Sequence, residues 1–472
     1  MSESSSERIE AALLAHIATA KPGSRLPSTR ELTAGHGVSP VTVQKALRSL
    51  ERRGLVVARP GSGVFVPAAR AERPADFSWQ TAALGASGAL PATPVAALRL
   101  GSAEAVPLHS GYPDRALLPE RLLRTGLVRA ARSTATVERA PSAGLADLRA
   151  WFSAELAAQT PAGRTAPTAR DVIVTPGSQL ALGTVFRSIA GPGGVLLTES
   201  PTYWGAILAA AQVGVTLVPV PTDAAGPDIT ALDRAFAETG ARGFYAQPTY
   251  ANPTGVQWSA NRTLEVLRSV RVHGAFLIED DWAHDFGITT DPAPAAAQDD
   301  SGHVIYLRSL TKSVSAALRV AAIIARGPIR DRLLADVQAQ AMYVSGVLQT
   351  AALEVVTQPA WRTHVSGLRR RLRERRDLLL DAVAAGLPAA SVETVPAGGL
   401  NLWLRLPDET DLGRLVRDSE ARGVIVAAGD EWFPAEPTGR FLRLNFAAAD
   451  PASFLTAAEQ IGAAWAEQQR AR

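Results

Sequence analysis

A chain of 472 residues is long enough for two or three folded units, which excludes a single small module. With 47% hydrophobic and 20% charged residues and no apolar run that would cross a bilayer, the composition is that of a globular protein in water. Zero cysteine excludes disulfides and thiolate metal sites, and the seven histidines lack ligand spacing, so no metal is expected.

The net charge of +3 is unevenly placed. Residues 1–70 hold ten Lys/Arg against five Glu, whereas the other 402 carry 38 basic and 40 acidic residues. A basic front on a near-neutral body suits a polyanion partner for the front alone, or simply a solvated basic face. Nearly all positive charge is arginine, and the three lysines are Lys21, Lys45 and Lys312. The polar start MSESSSERIE has neither a basic nor an apolar secretory region, so a cytoplasmic location is expected.

In chain order, Ile9, Leu13, Leu14 and Ile17 recur at helical spacing and predict a first amphipathic helix, stopped by Lys21-Pro22-Gly23. Ser28-Thr29-Arg30-Glu31 reads as a capping box that opens a second helix, with Leu32 pointing inward. Gly37 breaks it, and Ser39-Pro40 starts a third helix through about Arg53. Leu55 to Arg59 and Val64 to Val66, around Pro60-Gly61-Ser62-Gly63, predict two strands and a tight turn.

These residues resemble the GntR family of winged helix-turn-helix regulators, whose pattern runs LPS-x-REL, GVS-x-x-TV, GL and RPGSG-x-FV. The resemblance implies double-stranded DNA as partner, read by the start of the third helix, with the wing on phosphate. The candidate contacts are Arg30, Ser39, Thr42, Gln44, Lys45 and Arg59, with Gln44 suited to adenine and Lys45 and Arg59 to phosphate or guanine. Pro40 stands where family members often carry arginine. On this reading residues 1–70 form the DNA-binding domain.

Residues 71–105, rich in Ala, Pro and Gly with Trp79 as a lone large anchor, read as a linker. Residues 106–472 follow as the body. Apolar runs Val172-Ile173-Val174, Val195-Leu196-Leu197 and Phe276-Leu277-Ile278 alternate there with helical patterns, which predicts an α/β fold on a mainly parallel sheet. Ligands bind beyond the carboxyl ends of such strands. Those ends carry Thr175-Pro176-Gly177-Ser178-Gln179, a glycine turn leading into a helix at Leu180 that suits a phosphate, and Tyr203 after the next strand. Asn252 lies in Ala251-Asn252-Pro253-Thr254-Gly255, and Glu279-Asp280-Asp281-Trp282 ends a further strand. Three adjacent acids are often merely solvated, yet one held at a pyridinium nitrogen would keep it protonated. Ser309-Leu310-Thr311-Lys312 brings a lysine able to condense with an aldehyde, with Arg319 seven residues on.

In this order the motifs resemble the fold-type I pyridoxal phosphate enzymes of the aspartate aminotransferase superfamily, from about Leu108 to the end, with a smaller C-terminal α+β lobe. The resemblance implies that Lys312 forms the Schiff base with pyridoxal 5′-phosphate and that Asp280 pairs the pyridine nitrogen. It implies that Asn252 contacts the ring oxygen, Tyr203 stacks on the ring, and Ser178, Gln179, Ser309 and Arg319 hold the phosphate. Arg443, in Arg440-Phe441-Leu442-Arg443-Leu444-Asn445, would bind a carboxylate of the effector. Two positions depart from the pattern. Trp282 stands near the place of a tyrosine, and its indole donates but cannot accept. Arg139-Ala140-Pro141-Ser142-Ala143-Gly144 lacks the tyrosine of Y-G-D-P-x-G, with Arg139 in its place.

A GntR-type winged helix ahead of such a body is the arrangement of the MocR subfamily. That resemblance implies a cytoplasmic, homodimeric transcription regulator on repeated half-sites, sensing a small amino-containing effector or the cofactor itself. The alternative is a working aminotransferase that carries a DNA-binding domain. A cofactor-free scaffold is a third reading, disfavoured because Lys312 is the body's one lysine.

Overall fold

The computed structural model describes residues 5–68, 80, 83, 96–99, 101–102 and 104–470, so Trp79 and most of the expected linker lie outside the described residues. The chain divides into two compact units, Met1–Ser87 and Gly88–Arg472.

The first unit holds helices α1 (Ser5–Thr19), α2 (Thr29–His36) and α3 (Pro40–Arg52) and strands β1 (Val57–Arg59) and β2 (Gly63–Phe65), paired antiparallel. Ser28 accepts from the Glu31 amide and the Glu31 carboxylate accepts from the Ser28 amide, so the capping box is complete. Ser39 caps α3 by accepting from the Thr42 amide, with Pro40 in the first turn. Ile9, Leu13, Leu32, Val43, Leu47 and Leu50 meet in one core, which holds the three helices together. The first wing strand begins at Val57 rather than Leu55, because Val56 turns inward and is buried in that core.

The second unit is built on a mixed eight-stranded sheet in the order β3-β10-β9-β8-β7-β4-β5-β6. Its members are β3 (Val172–Thr175), β4 (Val195–Ser200), β5 (Thr216–Asp223), β6 (Gly226–Pro227), β7 (Gly243–Ala246), β8 (Phe276–Asp281), β9 (Val304–Ser309) and β10 (Ala321–Ile324). The run β9-β8-β7-β4-β5 is parallel, whereas β10 is antiparallel to both of its neighbours and β6 to β5. Strands β3, β7, β9 and β10 are buried along their whole length, as expected of a sheet covered on both faces.

A second, antiparallel sheet, β11-β12-β14-β13, forms the smaller lobe from β11 (Ser391–Val392), β12 (Asn401–Leu406), β13 (Ala427–Ala428) and β14 (Arg440–Asn445). Helices Pro359–Gly386 and Phe454–Arg470 pack together and share its core, in which Leu372, Leu379, Leu402, Leu404, Leu442 and Ile461 are buried. The described end of the expected linker belongs to this unit: the Ala96 amide donates to Glu431 and Arg99 pairs with Glu420, and just beyond it Val106 bridges to Val424. Among the described residues no helix is long and apolar enough to cross a membrane, and no cluster of His, Asp and Glu gathers as for a metal.

Candidate functional site

The carboxyl ends of β3, β4, β7, β8 and β9 open on a cavity of about 390 Å³, within the range of small-molecule sites. All ten residues that the sequence nominated in this unit line it: Ser178, Gln179, Tyr203, Asn252, Asp280, Trp282, Ser309, Lys312, Arg319 and Arg443.

One wall is the start of helix Ser178–Ile189, which begins two residues earlier than the expected Leu180. Its N-cap is Gly177 with no side-chain cap, so the first amides of the helix face the cavity without intrahelical partners. Gly177 has φ +88°, and a Cβ there would lie 2.6 Å from the Arg319 guanidinium, so only glycine fits. Arg319 reaches across it toward the Pro176 carbonyl at 3.4 Å. A helix N-terminus, an arginine and the Ser309 side chain at the end of β9 thus form a cradle for an anion. The Gln179 amide group is turned away from it and donates to the Gly205 carbonyl at 2.7 Å.

The opposite wall is β8. Pleating sends Asp280 to the cavity side and its two acidic neighbours to the other face. The Asp280 Oδ2 accepts from Tyr245 at 2.9 Å and from Gln247 at 2.8 Å, while Oδ1 is buried without a partner. Burial pushes Asp280 up from the ordinary carboxylate range, against Gln247, Tyr245 and Lys312. A cation or a protonated ring nitrogen at Oδ1 would restore its charge. The two neighbours are not solvated, contrary to the usual fate of adjacent acids. Glu279 accepts from the Ala295 and Ala296 amides, both at 2.8 Å, and burial raises it to about 8. Asp281 accepts from His284 and Tyr306, and although burial opposes its charge, these partners and Arg308 lower its pKa.

Lys312 lies between these walls. Its Nζ sits 4.2 Å from the Trp282 ring centroid and 6.0 Å from that of Tyr203. Burial and the Arg443 cation lower Lys312 to about 7, against the pull of Asp280, which makes it a nucleophilic amine near neutral pH. The Trp282 Nε1 is a buried donor with no partner. The Asn252 backbone N–H donates to Gln247 Oε1 at 2.8 Å, so one glutamine ties Asn252 to Asp280. Gln247, Tyr245, Tyr112 and Leu98 escaped the sequence reading. Arg139 is exposed and does not line the cavity.

In the first unit Arg30, Ser39, Gln44, Lys45 and Arg59 are exposed and Thr42 is half-buried. Ser39 and Thr42 spend their side chains on the cap of α3, bonding to each other at 2.9 Å. Arg59 stacks 4.6 Å from the Phe65 ring centroid across the wing. Val41, 70% exposed in the first turn of α3, is an apolar side chain on the face that presents Gln44 and Lys45.

The fold and the cavity define a lysine-bearing aminotransferase-like body, and the first unit defines a winged helix-turn-helix. The chain belongs to the class I and II aminotransferase family, whose model matches residues 130–461, and residues 5–66 match the gntR family of bacterial regulatory proteins. Chains similar over nearly their whole length include an uncharacterised HTH-type transcriptional regulator, YjiR, of Escherichia coli. It is 27% identical over 472 residues, which cover 97% of this chain and 96% of that one. The probable rhizopine catabolism regulatory protein MocR of Rhizobium meliloti is 26% identical, covering 94% and 90%. Among solved structures, α-aminoadipate aminotransferase LysN of Thermus thermophilus, complexed with N-(5′-phosphopyridoxyl)-L-leucine, superposes with a TM-score of 0.71. It is 26% identical, covering 77% of this chain and 92% of that one. The chain is therefore a GntR-type, MocR-like regulator with a fold-type I aminotransferase-like body.

Proposed function

We propose that the body binds pyridoxal 5′-phosphate and, as a homodimer, couples capture of a small amino-containing effector to binding of repeated DNA half-sites by the winged helices. The observation that carries the cofactor is the unpartnered Oδ1 of Asp280, buried in the same cavity as Lys312 and the Gly177–Arg319 cradle. Asp280 would hold the ring nitrogen, Ser178, Ser309 and Arg319 with the helix N-terminus the phosphate, and Lys312 the aldehyde carbon; Gln179 would contribute through its backbone amide. Asn252 and Trp282 would face the ring oxygen and Tyr203 the ring. When bound, the cofactor supplies an aldehyde that condenses reversibly with amines. Lys312 supplies the amine at rest, Trp282 shields it, and Arg443 orients a carboxylate.

Regulation follows if the effector binds two states of the body unequally and DNA favours one of them. Arg30, Gln44, Lys45 and Arg59 would contact DNA directly, whereas Ser39 and Thr42 would order the helix start that reads it.

The test is the visible absorption of the purified chain with pyridoxal phosphate, for wild type and Lys312→Ala. A band that borohydride fixes covalently in wild type and that the variant lacks supports the reading. Absence of the band in wild type refutes it. The retained set of Lys312, Asp280 and Arg443 in one cavity also suits a working aminotransferase. Amine-dependent DNA binding without steady keto-acid formation favours the regulator, and steady formation favours the enzyme.

A further inference from the structure

The outward face of α3 carries one side chain that a purely electrostatic hold on DNA does not use. On a helix of about 3.6 residues per turn, Val43, Ala46, Leu47 and Leu50 share one side and are buried in the core of the first unit. Val41, Gln44, Lys45, Arg48 and Arg52 are exposed and fall on the opposite side. Three of these five are cations and one is an amide, a composition that suits a polyanion. Val41 is the exception. It is 70% exposed, the most of any large apolar side chain among the described residues of the first unit.

A lone exposed valine is ordinary on a protein surface, and its place on this helix is what gives it meaning. The first turn of α3 is uncharged: Pro40 opens it, no acid stands in it, and Lys45, Arg48 and Arg52 come later. The hydroxyls there are already engaged, since Ser39 and Thr42 bond to each other at 2.9 Å and Ser39 accepts from the Thr42 amide at 3.2 Å. Val41 is the side chain of that turn aimed directly away from the core, at the end of the helix that a helix-turn-helix sets against base edges. It can neither donate nor accept. In the major groove the 5-methyl group of thymine is the apolar feature, and a polar base edge facing valine would lose its water without gaining a partner. Gln44 follows three residues on, about 4.5 Å along the axis, close to the spacing of about 3.4 Å between successive base pairs.

We propose that Val41 reads sequence, by packing against the 5-methyl group of a thymine in the base pair next to the one that Gln44 addresses. The proposal rests on DNA binding by this helix and needs neither the cofactor nor an effector. It gives the two halves of α3 different work. The uncharged first turn selects thymine over cytosine, whose edge has an amine and no methyl group, while the cations beyond it hold phosphate whatever the sequence.

The experiment selects duplexes from a randomised library with the full-length chain. It then measures affinity for the selected duplex as each thymine of one half-site is replaced in turn by deoxyuridine, at a salt concentration at which every variant still binds. The exchange removes the methyl group and leaves pairing intact. Wild type is expected to lose about fourfold in affinity at one thymine per half-site, the contribution of burying one methyl group. In Val41→Ala that loss should fall below about twofold, so that the two changes are not additive. In Lys45→Ala it should stay near about fourfold while the salt slope drops. Val41 is exposed, so Val41→Ala should unfold thermally as wild type does. The proposal is overturned if no thymine of the selected duplex is sensitive to loss of its methyl group, or if Val41→Ala shows the same loss as wild type. Should the chain retain no duplex at all, DNA binding itself has failed and takes the proposal with it, a result distinct from binding that ignores thymine methyl groups.

Discussion

An amine-selective label applied to the cofactor-free chain across pH reads the electrostatics of the cavity directly. An ordinary lysine, near 10.5, is neutral in roughly one molecule in three thousand at pH 7. Lys312, lowered to about 7, is neutral in about half. Lowering favours the neutral amine, so labelling of Lys312 should rise with pH through a midpoint near 7 and then level off. The named causes also fix the direction in which each variant moves that midpoint. Arg443→Leu removes a neighbouring cation that lowers Lys312, so the midpoint should rise; Asp280→Asn removes the carboxylate that raises it, so the midpoint should fall. Trace labelling with acetic anhydride, followed by peptide mass spectrometry, resolves the three lysines separately. A Lys312 midpoint near 10, or displacement of both variants in one direction, refutes the account of the cavity given above.

Gly177→Ala forces a side chain into a glycine-only backbone region and against Arg319, so it should cost about 1–3 kcal/mol in stability and weaken cofactor retention at least about tenfold, measured by thermal unfolding and by equilibrium dialysis. Ser28→Ala removes one half of the α2 capping box and should destabilise that helix by about 0.5–2 kcal/mol, seen as faster amide exchange of its first turn in the full chain. Trp282→Tyr introduces a hydroxyl that both donates and accepts where the indole only donates; single-turnover conversion of an amino acid to its keto acid should rise about tenfold or more. Lys45→Ala should weaken DNA binding across sequences and reduce the salt slope by about 1, whereas Gln44→Ala should relax preference at a single base pair, both read by titration on operator DNA at several salt concentrations.

The parts legible in the sequence were those written locally. The Ser28 capping box, the Ser39 cap, glycine turns and strand-end residues depend on neighbours within a few positions; they located the starts of α2 and α3, and their order, through its resemblance to the aminotransferase pattern, led to the ten residues that meet in one cavity. What escaped depends on register and on packing. Gln247 matters because β7 pairs Ala246 with Glu279 and so carries the next residue to Asp280, a relation that no spacing within the chain records. Leu98 sits in a three-residue turn of helix, Ala96–Leu98, too short for any periodicity, inside a stretch whose composition reads as linker. The burial of Glu279 and Asp281 was hidden because, His284 apart, their partners Ala295, Ala296 and Tyr306 come from segments that the fold brings beside β8.

The division of labour along β8 constrains how chains of this design can diverge. Parity along the strand separates Asp280, which faces the cavity, from Glu279 and Asp281, which share the other face. Gaining or losing a single residue between Ala275 and Trp282 would bring Glu279 or Asp281 into the cavity and turn Asp280 toward the side where the Ala295 and Ala296 amides, His284 and Tyr306 lie. Length variation in descendants of this chain is therefore confined to the connections around β8, while the strand itself behaves as a ruler of fixed count.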